Sequence, residues 1–142
     1  MEHSDLLPYL SIELPESFEF TSDQGDVMYA YHEGTGRVCV GSGAGTGKTT
    51  TLTRVVAEAV IRMIESEPED IDSNPFDEIL VTTFTRDAAG QLKGKIKSIL
   101  RDHQTNSDLD LDPALWRWIE TESHISTIDS FIGDLLREIA TE

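Results

Sequence analysis

The chain has 142 residues, 38% of them hydrophobic, enough for one domain with a buried core. Twenty-seven acidic residues against eleven basic ones leave a formal net charge of −16, a surface that repels nucleic acid at long range and stays soluble by self-repulsion. No apolar run approaches the roughly 20 residues that span a bilayer. Residues 1–10 lack the basic start of a secretory signal, and a single cysteine, Cys39, excludes a disulfide within the chain.

The expected setting is therefore cytoplasmic and reducing, with no membrane partner. The acidity also fits a salty interior, where charges are screened within about 3 Å at 1 M salt. A chain adapted to such an interior will be less stable below about 0.1 M salt than above it, which refolding across salt concentration measures.

Residues 1–20 are polar, acidic and punctuated by Pro8 and Pro15, and read as an irregular lead-in. A short helix is expected around residues 23–31. Residues 37–40 form a short apolar run entering a glycine-rich turn, a buried strand in which Cys39 packs as a small hydrophobe. Leu52, Val55, Val56, Ala59, Val60, Met63 and Ile64 then recur at helical spacing. Arg54, Glu58 and Arg62 lie four apart on the other face, as pairing partners. An acidic loop with Pro68 and Pro75 follows.

Residues 78–84 read as a second strand, and 86–101 as a second helix with Ala89, Leu92, Ile96 and Ile99 inward. An acidic loop over 102–112 leads to a short helix over 113–120. Here Trp118 shares a face with Leu115 and Ile119, while Trp116 falls on the Glu120 side, as surface that another part would cover. A third strand over 124–128 precedes a last helix over 130–139, with Phe131, Leu135 and Ile139 inward. Strand and helix alternate, which implies parallel strands joined by right-handed crossovers, an α/β layered fold. The four histidines show no metal-ligand spacing.

Ser42, Gly43, Ala44, Gly45, Thr46, Gly47, Lys48 and Thr49 stand between the first strand and the long helix. That context turns a glycine-rich run into a phosphate loop. Polyphosphate needs main-chain N–H groups converging on one concavity, and glycines let the chain fold that tightly. The helix start adds its positive dipole end. Lys48 supplies a movable positive charge for the outer phosphates. Thr49, with Thr50 beside it, brings the hydroxyl that completes a magnesium shell. The chain is expected to bind a nucleoside triphosphate with magnesium.

Read together, Gln24, SGAGTGKTTTL, ILVTTFTRDAAGQLKGKI and ISTIDSFIGDLLRE resemble the opening motifs of UvrD/Rep-type superfamily 1 DNA helicases. The likeness runs from about Phe20 to Glu138. It implies a three-layer RecA-like phosphate-loop domain with a mainly parallel sheet, the first motor domain, over residues 21–142. In that family a small residue is usual at the position of Ser42. By the same resemblance Gln24 reads the adenine edge, which makes the nucleotide ATP; a glutamine amide can both donate to and accept from adenine.

By the same resemblance Thr83, Phe84, Thr85 and Arg86 would fall in a motif that touches single-stranded DNA, with Phe84 against a base or sugar and the others on phosphates. Asp87 departs from the family's usual lysine. Thr127 and Ser130 belong to a later DNA-contacting motif, where Asp129 replaces the commoner histidine and reads instead as a cap for the last helix. Lys93, Lys95 and Lys97 are three of the four lysines in the chain. Arg86, Lys93, Lys97 and Arg101 share one helix face, either a phosphate track or a solvated basic stripe. Gly90 and Gly94 on the same side suggest close approach by another group.

The acidic Asp-Glu pair that such motors use for hydrolysis does not follow a strand in this chain, because Asp77 and Glu78 precede one. The expectation is an incomplete domain, ending before that motif, which binds ATP weakly by itself and hydrolyses it negligibly. Its partners would be single-stranded DNA and the remaining helicase domains, or a second chain carrying them. Strand polarity of 3′ to 5′ follows from the resemblance alone. Two other readings stay open: a stand-alone nucleotide or single-stranded DNA binding module without catalysis, and a small phosphate-loop kinase-like protein with Asp129 on magnesium.

Overall fold

The computed structural model describes residues 1–34, 48–66, 74–107 and 111–141. The strand expected at 37–40, Cys39 and the loop residues 42–47 lie outside them, as do the side chain of Lys48 and Pro68.

The first 20 residues are more ordered than their polarity suggests. Helix α1 spans His3–Leu6 and continues into a 3-10 turn at Leu7–Tyr9. Leu6, Ile12 and Phe20 are buried, so the segment contributes to the core. Helix α2, Ser22–Glu33, starts on a reciprocal capping box: Thr21 Oγ1 accepts from Gln24 N at 3.2 Å, and Gln24 Oε1 accepts from Thr21 N at 3.0 Å. It ends at Gly34, whose φ of 71° is the left-handed conformation that glycine adopts without a steric penalty. Gly25 on α2 lies against the main chain of Met1, and a Cβ there would collide with the Met1 carbonyl. Gly90 and Gly94, by contrast, face open space within the chain.

Helix α3, Lys48–Ser66, is buried continuously from Val56 to Ile61, a wider band than the expected stripe. The reason is that α2 packs on one side of it and helix α4, Arg86–Ser107, on another. Leu52, expected inward, is exposed. The pairing expected for Glu58 with Arg54 and Arg62 is not formed: Glu58 is buried and accepts main-chain hydrogen bonds instead. Arg54 lies over the Phe18 ring at 3.6 Å, and Arg62 lies 5.7 Å from the Tyr31 ring centroid.

Residues 78 and 79 are not strand. A 3-10 turn at Pro75–Glu78 is capped by Asn74, whose Oδ1 accepts from Phe76 N at 2.9 Å, and strand β1 is Leu80–Thr83. Helix α4 shows Ala89, Leu92, Ile96 and Ile99 buried as expected, but runs on to Ser107. Its polar last turns are anchored by buried His103 and by Gln104, whose Oε1 accepts from Leu111 N at 2.9 Å. Helix α5, Ala114–Thr121, packs on α4 through Leu115 and Ile119. Trp116 is covered from within the chain, by the Arg101 guanidinium 5.3 Å from its ring.

Strand β2, His124–Thr127, pairs in parallel with β1: Leu80 opposite His124, Val81 opposite Ile125, Thr82 opposite Ser126 and Thr83 opposite Thr127. Among the described residues these two form the sheet. The α/β architecture with parallel pairing is as the alternation implied. Helix α6, Ile128–Thr141, departs from expectation. Phe131 is half-buried, and Leu135 and Ile139 are exposed, Ile139 to 61%. This helix meets the described elements at β1 and β2 and buries none of its residues. Among the described residues, no helix is long and apolar enough to cross a membrane.

Candidate functional site

Parallel strands followed by helices put both strand ends and both helix starts on one edge, the edge where open α/β sheets take their ligands. Here β1 and β2 end side by side at Thr83 and Thr127. Thr83 Oγ1 donates to the Thr85 carbonyl at 2.9 Å, shaping the turn from strand to helix. Thr85 Oγ1 accepts from Ala88 N at 3.1 Å and caps α4. Thr127 does the same for α6, accepting from Ser130 N at 3.1 Å while donating to Ser130 Oγ at 2.8 Å. The cap of the last helix is thus Thr127, and not Asp129 as expected. Asp129 and Asp87 occupy equivalent places, each in the first turn of its helix and two residues past the capping threonine. There a carboxylate offsets the positive dipole end.

Phe84 projects from this edge with 92% of its surface exposed, so it is no part of the core. Arg86 is also exposed. The edge therefore offers an uncovered aromatic face, an arginine, threonine and serine hydroxyls and two helix N-termini. Aromatic faces stack on bases and an arginine pairs with phosphate, while the carboxylates of Asp87 and Asp129 work against an anion at the helix starts. Asp77 and Glu78 sit in the turn ahead of β1, at the opposite end of the strand.

Lys93 and Lys97 of α4 point elsewhere. Lys93 Nζ donates to the Glu120 carbonyl at 3.3 Å, and Lys97 pairs with the Glu120 carboxylate. Lys93, Lys97 and Arg101 of the basic stripe are therefore engaged with α5 in this structure, while Arg86 is exposed. At the other candidate site, α3 begins at Lys48, and Thr49 is exposed in its first turn. Half-buried Gln24 uses its Oε1 in the cap of α2. Among the described residues, no group of three or more His, Cys, Asp or Glu could hold a metal ion.

The sequence profile described as the UvrD/REP helicase N-terminal domain matches residues 24–142. The chain belongs to that family. Curated relatives named as ATP-dependent helicase/nuclease subunits include one from Lactobacillus johnsonii, 31% identical over 128 residues, and one from Bacillus anthracis, 32% identical over 128 residues. They cover 84% and 87% of this chain respectively. A third, from Geobacillus thermodenitrificans, is 29% identical over 124 residues. The chain spans 9% of the length of each of these relatives. The match to the UvrD/REP helicase domain thus includes the glycine-rich residues 42–49, the β1 edge and the β2 edge in one stretch.

Two side chains of this UvrD/REP helicase domain have roles that their sequence context does not announce: Glu58 and His103, each 2% exposed. Glu58 Oε1 accepts from Ser11 N at 2.7 Å and Oε2 from Ile12 N at 3.0 Å. His103 Nδ1 accepts from Glu13 N at 2.9 Å. A signal existed for His103, which continues the Leu92, Ile96 and Ile99 stripe at helical spacing.

Proposed function

We propose that this chain is the ATP-binding opening part of the first RecA-like motor domain of an ATP-dependent DNA helicase, with residues 21–142 as that domain. In this reading the motor translocates on single-stranded DNA and unwinds duplex, with the remaining domains, or a second chain carrying them, completing it. The observation that carries the reading is the family match running unbroken across the phosphate-loop residues and both strand edges, together with Phe84 standing bare at the β1 edge. The domain would sit in a three-layer fold whose further strands lie beyond β1 and β2.

Lys48 and main-chain amides at the start of α3 would hold the β and γ phosphates of ATP, and the exposed Thr49 hydroxyl would complete the magnesium shell. Bound magnesium supplies charge neutralisation for the phosphates. Phe84 would stack on a base, with Thr83, Thr85, Arg86, Thr127 and Ser130 along the backbone. Lys93 and Lys97 would join only by exchanging Glu120 for phosphate.

The test measures single-stranded DNA binding and stability of Phe84→Ala side by side. Loss of one aromatic–base stack costs about 1–3 kcal/mol, so affinity will drop roughly tenfold or more while the unfolding midpoint stays put. Equal DNA affinity in the variant would remove Phe84 from the interface. The kinase-like alternative is separated by Asp129→Ala. If that substitution abolished the magnesium dependence of nucleotide binding, the helicase reading would give way to it.

A further inference from the structure

We propose that Glu58 and His103 are positioning residues for adenine recognition: they clamp three consecutive main-chain amides, Ser11, Ile12 and Glu13, and so hold the segment leading to Gln24 against the helix that starts at Lys48. This rests on the reading of Gln24 and Lys48 as ATP contacts.

The clamp is a costly arrangement with no packing reason. Glu58 sits on α3 among Val56, Ala57, Ala59 and Val60, all buried. An apolar residue there would fill the space without desolvating a carboxylate. What only the carboxylate provides is two acceptor oxygens, and both are used on neighbouring amides from a distant part of the chain. His103 meets the third amide from α4. One short stretch is thus fastened to two different core helices.

From the clamp the chain runs a short, tied course to α2. Phe18 lies beneath the Arg54 guanidinium of α3. Phe20 is buried, and its N–H donates to His3 Nδ1 at 3.0 Å. Thr21 and Gln24 then form the capping box, and α2 packs on α3. The place of Gln24 relative to the start of α3 is set by these ties. Selecting adenine over guanine requires a recognition group held within about 0.5 Å, so loosening the clamp will blunt selectivity before it weakens phosphate binding.

His103 makes half of the clamp acid-sensitive. Its Nδ1 can accept from Glu13 only as neutral imidazole; protonated, it would present a second donor to a donor. Burial holds its pKa below the usual histidine value, against the carboxylates of Glu65, Glu13 and Glu58 that favour the charged form. Because the folded value is depressed, the contribution is complete above the ordinary histidine value of 6.5 and is lost as pH falls beneath it.

The experiment uses the whole chain over about pH 5 to 8, as wild type, Glu58→Ala, Glu58→Gln, His103→Phe and His103→Asn. Amide exchange at residues 11–13 is read beside affinities for Mg-ATP, Mg-GTP and magnesium tripolyphosphate. In Glu58→Ala, protection of those amides and the ATP-over-GTP preference will each fall about tenfold, with tripolyphosphate affinity unchanged. Glu58→Gln keeps one acceptor and will lose less, which covers the case where the alanine variant does not fold.

Wild type will keep its preference at pH 6.5 and lose it only at lower pH, as His103 protonates through its depressed folded value. His103→Asn, which retains an acceptor, will hold its preference at all pH values, and His103→Phe will have lost it at all of them. If wild type discriminates and the Glu58 variants discriminate equally despite looser amides, the positioning role is overturned alone. A wild type that binds neither nucleotide overturns the ATP reading, and the positioning role falls with it.

Discussion

Replacing Lys48 with alanine will lower Mg-ATP affinity by between about ten- and a hundredfold, with no change in the folded baseline. A hydrogen bond to a charged group contributes about 1.5–3 kcal/mol, and each 1.4 kcal/mol is about a factor of ten in affinity. The loss falls on phosphate contacts, so it will be as large for Mg-GTP and for magnesium tripolyphosphate as for Mg-ATP. That pattern separates Lys48 from the Glu58 variants, which change the ratio between nucleotides. Titration calorimetry with circular dichroism on the same samples checks both halves. Unchanged affinity would mean that the glycine-rich run before α3 is a turn and not a phosphate loop.

Phe76→Ala will destabilise the chain by about 3–5 kcal/mol, the usual cost of emptying a buried phenylalanine site. Domains of ordinary stability have about 5–15 kcal/mol to lose, so much of the margin goes in one step. Phe76 is fully buried in the main core, with Val56, Val60 and Ile61 of α3 in the same cluster. Its backbone is fixed by Asn74, which also donates from Nδ2 to the Glu122 carbonyl at 3.1 Å and so ties the approach to β1 to the approach to β2. Urea denaturation measures the loss as a lower midpoint. The contrast with Phe84→Ala is the useful control. The two phenylalanines flank the same strand, one fully buried and the other 92% exposed, and only the buried one will move the midpoint.

Hydrophobic spacing was a good guide to the elements. Residues 86–101 carried a stripe at helical intervals, and Ala89, Leu92, Ile96 and Ile99 are all buried in α4. The alternation of strand and helix implied parallel pairing, and β1 and β2 run parallel. The same spacing located α6 but misjudged its inward face: Phe131 is only half-buried, and Leu135 and Ile139 are exposed. It also hid the roles of charged groups. Arg54, Glu58 and Arg62 read as a surface row, yet Glu58 is inside with two amides, and Arg54 lies on an aromatic ring. Lys93 and Lys97 read as part of either a phosphate track or a solvated basic stripe, and both are engaged with Glu120.

By itself the sequence determined the local features of this UvrD/REP helicase domain. These include most of the helical and extended segments and the glycine-rich approach to Lys48. Such features depend on neighbours a few residues apart, so their order in the chain contains them. The tertiary structure alone decided which side chains face a partner from far away: Glu58 against Ser11 and Ile12, His103 against Glu13, Phe84 against none of the core. Burial is set by which elements dock on which, and periodicity along one helix says that a face exists without saying what will lie on it.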